Sequence, residues 1–197
     1  MFPSLPPATR ALILVNVAVF LLQQVARAFM DQWFALWPLG SGQFHVWQLI
    51  TYAFLHGSLA HIFFNMFALY MFGGELERLW GPRRLVGYFL VCALAAGVTQ
   101  LAVQGTSTAA EATIGASGGV FGVLLAFAWY FPRRRLFVIP IPIPLPAWLF
   151  VTIYALLELL FGVTGREPGV AHFAHLGGLL GGALCILYWR ARRRFGS

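Results

Sequence analysis

The 197-residue chain is 60% apolar and 10% charged, and its mean hydropathy is +0.78. Because a soluble domain carries about a quarter charged residues, this composition excludes a soluble globular protein and indicates a membrane protein. The net charge of +7 arises from thirteen basic residues, all arginines at or between the ends of apolar segments, which argues against a nucleic-acid-binding surface.

Six apolar segments each have about the 17–25 residues that a transmembrane helix needs. They cover residues 9–28, 56–76, 84–104, 115–131, 147–163 and 170–189. The first is too long and too poorly flanked for a cleaved signal peptide, so we expect it to remain as a span. No linker divides the chain, which predicts one domain over residues 1–197: an all-α membrane protein built as a six-transmembrane-helix bundle.

The arginines predict the orientation of these helices. In a six-span bundle only Arg27 and Arg166 lie on one side, and the other eleven of the thirteen lie on the opposite side. Since basic residues are enriched in cytoplasmic connections, both the N-terminus and the C-terminus are expected in the cytoplasm. Arginine without any lysine is typical of a GC-rich bacterial genome, so we expect a multi-pass protein of a bacterial inner membrane.

Two connections have distinctive compositions. Residues 31–48 include Trp33, Trp37 and Trp47, as expected for a segment at the lipid–water boundary. Residues 139–146 read IPIPIPLP and are expected to be extended, because proline disfavours the helical conformation at its own position and at the preceding residue.

Three polar side chains fall at one depth in this arrangement. Counted at 1.5 Å per residue from the cytoplasmic helix ends, His61 and Ser117 lie about 21 Å up and His175 about 22 Å up. The hydrocarbon layer is about 30 Å thick, so all three would lie about 10 Å below the outer surface. Polar residues at that depth usually face a cavity or a partner.

Glycines would bring the fourth and sixth segments together. Gly118 with Gly122, and Gly178 with Gly182, form pairs of small residues that allow helix backbones to approach closely in lipid. A hydrogen bond of about 2.6–3.2 Å between a serine hydroxyl and an imidazole needs such an approach.

This combination predicts nucleophilic catalysis. His175 would act as the general base for the hydroxyl of Ser117, which would form an acyl-enzyme. His61 and Asn65 are four residues apart and share a helix face, so both could donate hydrogen bonds to the oxyanion. The backbone N–H of Ser117, at the start of its helix, is a third expected donor.

These motifs together resemble those of the rhomboid family of intramembrane serine proteases. HGSLAHIFFN (56–65) is similar to the second-span signature of the family, GASGGVFG (115–122) to its serine motif and AHLGGLLGG (174–182) to its final signature. WQLITYAFLH (47–56) is similar to the entry into the second span. The resemblance extends over nearly the whole chain.

The resemblance implies a Ser117–His175 dyad with no third acidic member. It also implies that His61 and Asn65 occupy the oxyanion positions and that His56 lies just above them. The implied activity is cleavage of membrane segments of single-pass or multi-pass proteins near the outer face of the bilayer, at small residues beside helix-breaking ones. We expect no cofactor and no metal.

Five residues are expected to support the site: His56, Gly115, Phe121, Gly178 and Gly182. Phe121 is one of two departures from the family, because many relatives have a tyrosine there that packs on the catalytic histidine. Stacking is expected to survive, whereas a hydroxyl contact cannot. The other departure is that residues 31–48 lack the Trp-Arg pair seen in many relatives.

Two further polar residues are interpreted as structural. Glu158 lies about 18 Å up the fifth segment, near the level of Ser117, and we expect it to be protonated or hydrogen-bonded rather than catalytic. His172 is expected to form at most a hydrogen bond near the mouth of the pocket. A zinc site is not expected, because the HExxH motif is absent.

Other functions remain open. A transporter would also contain buried histidine and glutamate along its path, although the repeat symmetry typical of transporters is not found. A haem-binding electron carrier would use paired histidines. A catalytically inactive rhomboid-like binding protein is disfavoured because the serine and the histidine are retained.

Overall fold

The computed structural model describes residues 4–105, 111–137, 143–166 and 169–195. These ranges contain nine α-helices and one pair of short strands. The helices are α1 (Pro7–Val25), α2 (Arg27–Phe34), α3 (Gln48–Thr51), α4 (Leu59–Ala68), α5 (Gly74–Trp80), α6 (Pro82–Gln104), α7 (Ser117–Tyr130), α8 (Ala147–Thr164) and α9 (His172–Phe195). The strands are β1 (Arg135–Phe137) and β2 (Pro144–Pro146), which pair antiparallel.

Within the described residues, five helices are long and apolar enough to cross a membrane. They are Pro7–Val25, Leu59–Trp80, Pro82–Gln104, Ala147–Thr164 and His172–Arg192. The prediction of an all-α, multi-pass membrane bundle is confirmed. The sixth apolar helix, α7, has 14 residues and is therefore about 21 Å long, so the count of six spans stays a prediction, as do the cytoplasmic termini.

Local chemistry explains where the helices differ from the predicted spans. The first helix stops at Val25 rather than at residue 28, because Ala26 leaves the helical conformation before α2 begins. The second starts at Leu59 rather than at residue 56. Ser58 is its N-cap, and the Ser58 hydroxyl accepts a hydrogen bond from the N–H of His61 at 3.1 Å.

A single turn of π-helix, Leu69–Gly73, joins α4 to α5, so that α4, the π-turn and α5 form one continuous helical rod that ends at Trp80. Gly81 then adopts a φ of +84°, which ends the rod before Pro82 starts α6. Of the segment predicted to be extended, Pro144–Pro146 does form a strand, and residues 139–142 lie outside the described residues.

Helix α7 packs against both α6 and α9, which also pack against each other, and ten of its fourteen residues are buried. The predicted glycine pairs lie at these helix contacts. A Cβ atom added to Gly178 would overlap the backbone carbonyl of Gly118, and one added to Gly122 would overlap the side chain of Cys92. Only glycine permits α7 and α9 to pack this closely.

The start of α1 is held by a buried carboxylate from α5. Glu77 accepts hydrogen bonds from the N–H of Ala8 at 2.8 Å and from the N–H of Thr9 at 2.7 Å. It also accepts the Thr9 hydroxyl at 2.7 Å. The carboxylate therefore satisfies backbone donors that a helix leaves unpaired at its N-terminus, and it carries the charge that this end of a helix favours.

We expect Gly178→Ala to lower the free energy of unfolding by about 1–3 kcal/mol, because the added methyl group forces α7 and α9 apart. Thermal unfolding in detergent micelles measures the change. Gly87→Ala in α6 is the matched control, since a Cβ atom at Gly87 meets nothing within 4 Å. Equal stability of the two variants would contradict the close contact.

We expect Glu77→Gln to lower the free energy of unfolding by about 1–3 kcal/mol, because the NH2 group that replaces one carboxylate oxygen cannot accept a hydrogen bond from the N–H groups of α1. The same unfolding assay reports it. Glu75→Gln is the control, since Glu75 has a 39% exposed side chain and lies 3.6 Å from Arg134, so the change there is about 0–1 kcal/mol.

Candidate active site

Two backbone links position the segment that leads into Ser117. Leu36 and Thr113 exchange N–H···O hydrogen bonds of 2.9 Å, which fix the connection between α2 and α3 to this segment. The N–H of Gly115 donates to the carbonyl of Tyr52 at 2.9 Å. Ser117 then begins α7 in a half-buried position, at the N-terminal end of an apolar helix.

Gly115 is required by both conformation and space. Its φ is +131°, which side chains rarely adopt, and a Cβ atom there would be 2.7 Å from Cε1 and Nε2 of His61. The backbone two residues before Ser117 is therefore packed directly against the imidazole of His61.

His175 lies in the first turn of α9 and brings its imidazole to Ser117. Its Nε2 atom is 2.8 Å from the Ser117 hydroxyl oxygen, and its side chain is buried. The ring of Phe121 stacks on the imidazole with a centroid distance of 4.3 Å and an interplanar angle of 9°. On its other face Phe121 stacks on Tyr154 of α8, at 5.2 Å and 3°.

The two residues expected at the oxyanion lie on α4, one turn apart. His61 Nδ1 is 3.4 Å from the N–H of Gly57, a long hydrogen bond in which the ring nitrogen accepts. Asn65 is buried, and its amide donates to the backbone carbonyl of His61 at 3.0 Å. That bond uses one of the two amide hydrogens of Asn65.

His56 is fully buried beside these residues. Its ring packs edge-to-face on His61 with a centroid distance of 4.9 Å, and its backbone N–H donates to Gln23 at 2.9 Å. His56 precedes the membrane-spanning helix Leu59–Trp80. Burial, with a further contribution from His61, lowers the pKa of its imidazole to about 4. His56 is therefore neutral at physiological pH and packs as an uncharged ring.

Glu158 of α8 lies against both histidines of the first turn of α9. Its Oε2 atom accepts a hydrogen bond from His172 Nδ1 at 2.7 Å and lies 2.9 Å from His175 Nδ1. The second contact is short, but the oxygen lies off the direction of the ring N–H, so it is not an aligned hydrogen bond. Glu158 is hydrogen-bonded, as expected, whereas its contact with His175 was not anticipated.

A family model described as a rhomboid domain matches residues 43–192, which is most of the chain. The chain belongs to the rhomboid family. It is 28% identical over 191 residues to Rhomboid protease GlpG of Yersinia pestis, a match that covers 94% of this chain and 63% of that protein. It is 30% identical over 189 residues to Rhomboid protease GlpG of Pectobacterium atrosepticum, covering 93% and 62%. The chain thus spans a little under two thirds of the length of these relatives.

In this rhomboid, sequence reasoning missed two contributions of α8: the carboxylate of Glu158 beside Nδ1 of His175, and the ring of Tyr154 stacked on Phe121. Counting along helices gives the depth of a side chain but not the direction in which it points. The sequence therefore indicated that Glu158 lies near the level of Ser117, but not that its carboxylate contacts His175. Phe121 keeps the stacking that the resemblance to the family led us to expect.

Three side chains form a group that could be considered for a metal ion. Glu158, His172 and His175 each offer one ligand atom, and these three atoms lie within 4.8 Å of one another. Neighbouring ligands of a tetrahedral zinc ion, bound at about 2.0–2.1 Å, are about 3.3 Å apart. The 2.7 and 2.9 Å separations here are shorter and are those of hydrogen-bonded or ion-paired groups.

Proposed function

We propose that this protein is an intramembrane serine endopeptidase that cleaves membrane segments of other proteins near the outer face of the bilayer. The observation that carries the proposal is the 2.8 Å contact between the Ser117 hydroxyl and His175 Nε2 inside an apolar bundle. Membership of the rhomboid family and similarity to proteins named rhomboid proteases support the same reading.

In the proposed reaction, His175 Nε2 takes the hydroxyl proton while the Ser117 oxygen attacks the carbonyl carbon of the scissile peptide bond. The tetrahedral intermediate collapses when the carbon–nitrogen bond breaks, and the imidazolium returns its proton to the leaving amine. A water molecule, deprotonated by His175, then attacks the acyl-enzyme and releases the carboxylate product and free Ser117.

Three donors would stabilise the oxyanion: the side chains of His61 and Asn65 and the backbone N–H of Ser117. Because Nδ1 of His61 accepts from Gly57, the neutral ring carries its hydrogen on Nε2, the atom that faces Gly115. Asn65 has a second amide hydrogen available for the same oxygen. The start of α7 supplies backbone N–H groups that have no partner within the helix.

The expected setting is a bacterial inner membrane, with six passes and cytoplasmic termini. The proposed substrates are single-pass or multi-pass membrane proteins with small residues at the cleavage point and helix-breaking residues beside it. Because Ser117 is half-buried and His175 is buried, the scissile bond of such a segment must enter the bundle to reach the hydroxyl.

We expect Ser117→Ala to abolish cleavage and labelling by a serine-reactive fluorophosphonate, and His175→Ala to slow both by at least about 10³-fold, because nucleophile and base act as a unit. Rates are measured on a reconstituted single-pass substrate in liposomes.

Thr152→Ala is the matched control, since it also removes a hydroxyl. That hydroxyl bonds back to the carbonyl of Trp148 in its own helix, so the native rate is expected. Native labelling and cleavage in both Ser117→Ala and His175→Ala would refute the proposed function.

We expect His61→Ala and Asn65→Ala each to lower kcat by about 10²–10³-fold with KM little changed, because an oxyanion donor acts on the transition state. Phe64→Leu on the exposed face of α4 is the control and should keep the native kcat. A native kcat in both variants would remove these side chains from the proposed mechanism.

A further inference from the structure

Helix α8 reaches the candidate base from two directions. Glu158 presents its carboxylate to Nδ1 of His175, while Tyr154, one turn earlier, stacks on Phe121, whose other face covers the His175 ring. The imidazole is therefore bounded by α8 at its edge and, through Phe121, on its face. The Ser117 hydroxyl lies at the opposite ring nitrogen.

A buried carboxylate inside an apolar bundle is costly unless it is paired. Glu158 is 7% exposed and finds its firm partner in His172, at 2.7 Å. The other ring nitrogen of His172 is 3.1 Å from the backbone carbonyl of Arg166. Because a carbonyl can only accept, that nitrogen carries a hydrogen, and a second proton is shared between His172 Nδ1 and Glu158. His172 therefore fixes the carboxylate in place.

The hydrogen on His175 follows from the same reasoning. For His175 to accept the Ser117 proton at Nε2, the neutral ring must carry its hydrogen on Nδ1. That hydrogen is on the side of the Glu158 carboxylate, whose Oε2 is 2.9 Å away. When the proton arrives, the ring becomes positively charged with its Nδ1 atom 2.9 Å from the Glu158 oxygen.

On the basis of the proposed protease function, we propose that Glu158 is a positioning acid for His175, held by His172. Its carboxylate favours the tautomer with the hydrogen on Nδ1, keeps Nε2 directed at Ser117 and stabilises the imidazolium that forms during attack. Ser117 and His175 remain the catalytic pair, drawn from α7 and α9, and Glu158 of α8 would act on that pair only through His175.

The test compares Glu158→Gln with the native protein in the liposome cleavage assay. The amide NH2 can donate to Nδ1 of His175 and favour the wrong tautomer, so we expect kcat to fall by about 10²–10⁴-fold while KM changes little. Glu158→Asp, which keeps the charge on a shorter side chain, should recover at least a tenth of the native kcat.

His172→Gln is the matched control for a merely structural role. It removes the firm partner of Glu158 but leaves the carboxylate beside His175, so its kcat should exceed that of Glu158→Gln by at least tenfold. If Glu158 only ties α8 to α9, the two variants will lose stability alike and kcat will follow the folded fraction in both. That outcome would overturn the inference.

Two further results distinguish what has failed. If Ser117→Ala is inactive but Glu158→Gln keeps kcat within about threefold of native, the positioning role is wrong and the proposed function stands. If Ser117→Ala retains native activity, the proposed function itself is wrong.

The assay is repeated with a chelator and with added zinc. Stoichiometric zinc binding that Glu158→Gln abolishes, with native activity that needs the metal, would identify a metal site and overturn the positioning role.

Discussion

A serine hydroxyl and an imidazole can meet within an apolar bundle only where two helix backbones come unusually close. In this rhomboid that approach is made by α7 and α9, whose contact places Gly178 directly against the carbonyl of Gly118. Ser117 is one residue from Gly118 on α7, and His175 is three residues from Gly178 on α9. The geometry of the candidate site is thus a consequence of glycine packing in a solvent that offers no hydrophobic force between helices.

A second constraint is that polar groups in such a bundle must find partners within the protein. The hydroxyl of Tyr52 donates to the carbonyl of Ala93 at 2.7 Å, and that of Tyr88 donates to the carbonyl of Gly122 at 2.9 Å. The Glu77 carboxylate accepts hydrogen bonds from the first backbone N–H groups of α1. Glu158 is the instructive case, because its partners are not backbone groups but the two histidines beside the candidate nucleophile.

The apolar lengths and the glycine pairs were readable from the sequence, because each depends on composition or on spacing along one helix. The shared membrane depth of His61, Ser117 and His175 stays a prediction. The break at Ala26 could not be read from the sequence, since no proline or glycine marks it. The π-turn at Leu69–Gly73 could not either, since the Gly73–Gly74 pair at its end does not distinguish a π-turn from regular helix. The Glu158 contact was missed for a related reason. It depends on the rotation of α8 about its own axis, which is set by packing against α9.

The central claim is that Ser117 is a nucleophile activated by its neighbour, and the most direct measurement is the position of a covalent adduct. The native protein is treated with a fluorophosphonate in lipid, digested, and analysed by peptide mass spectrometry. The account predicts a single phosphonyl group on the peptide that contains Ser117. Full inhibition of cleavage with the adduct on any other residue, or robust cleavage with no adduct at saturating reagent, would contradict it.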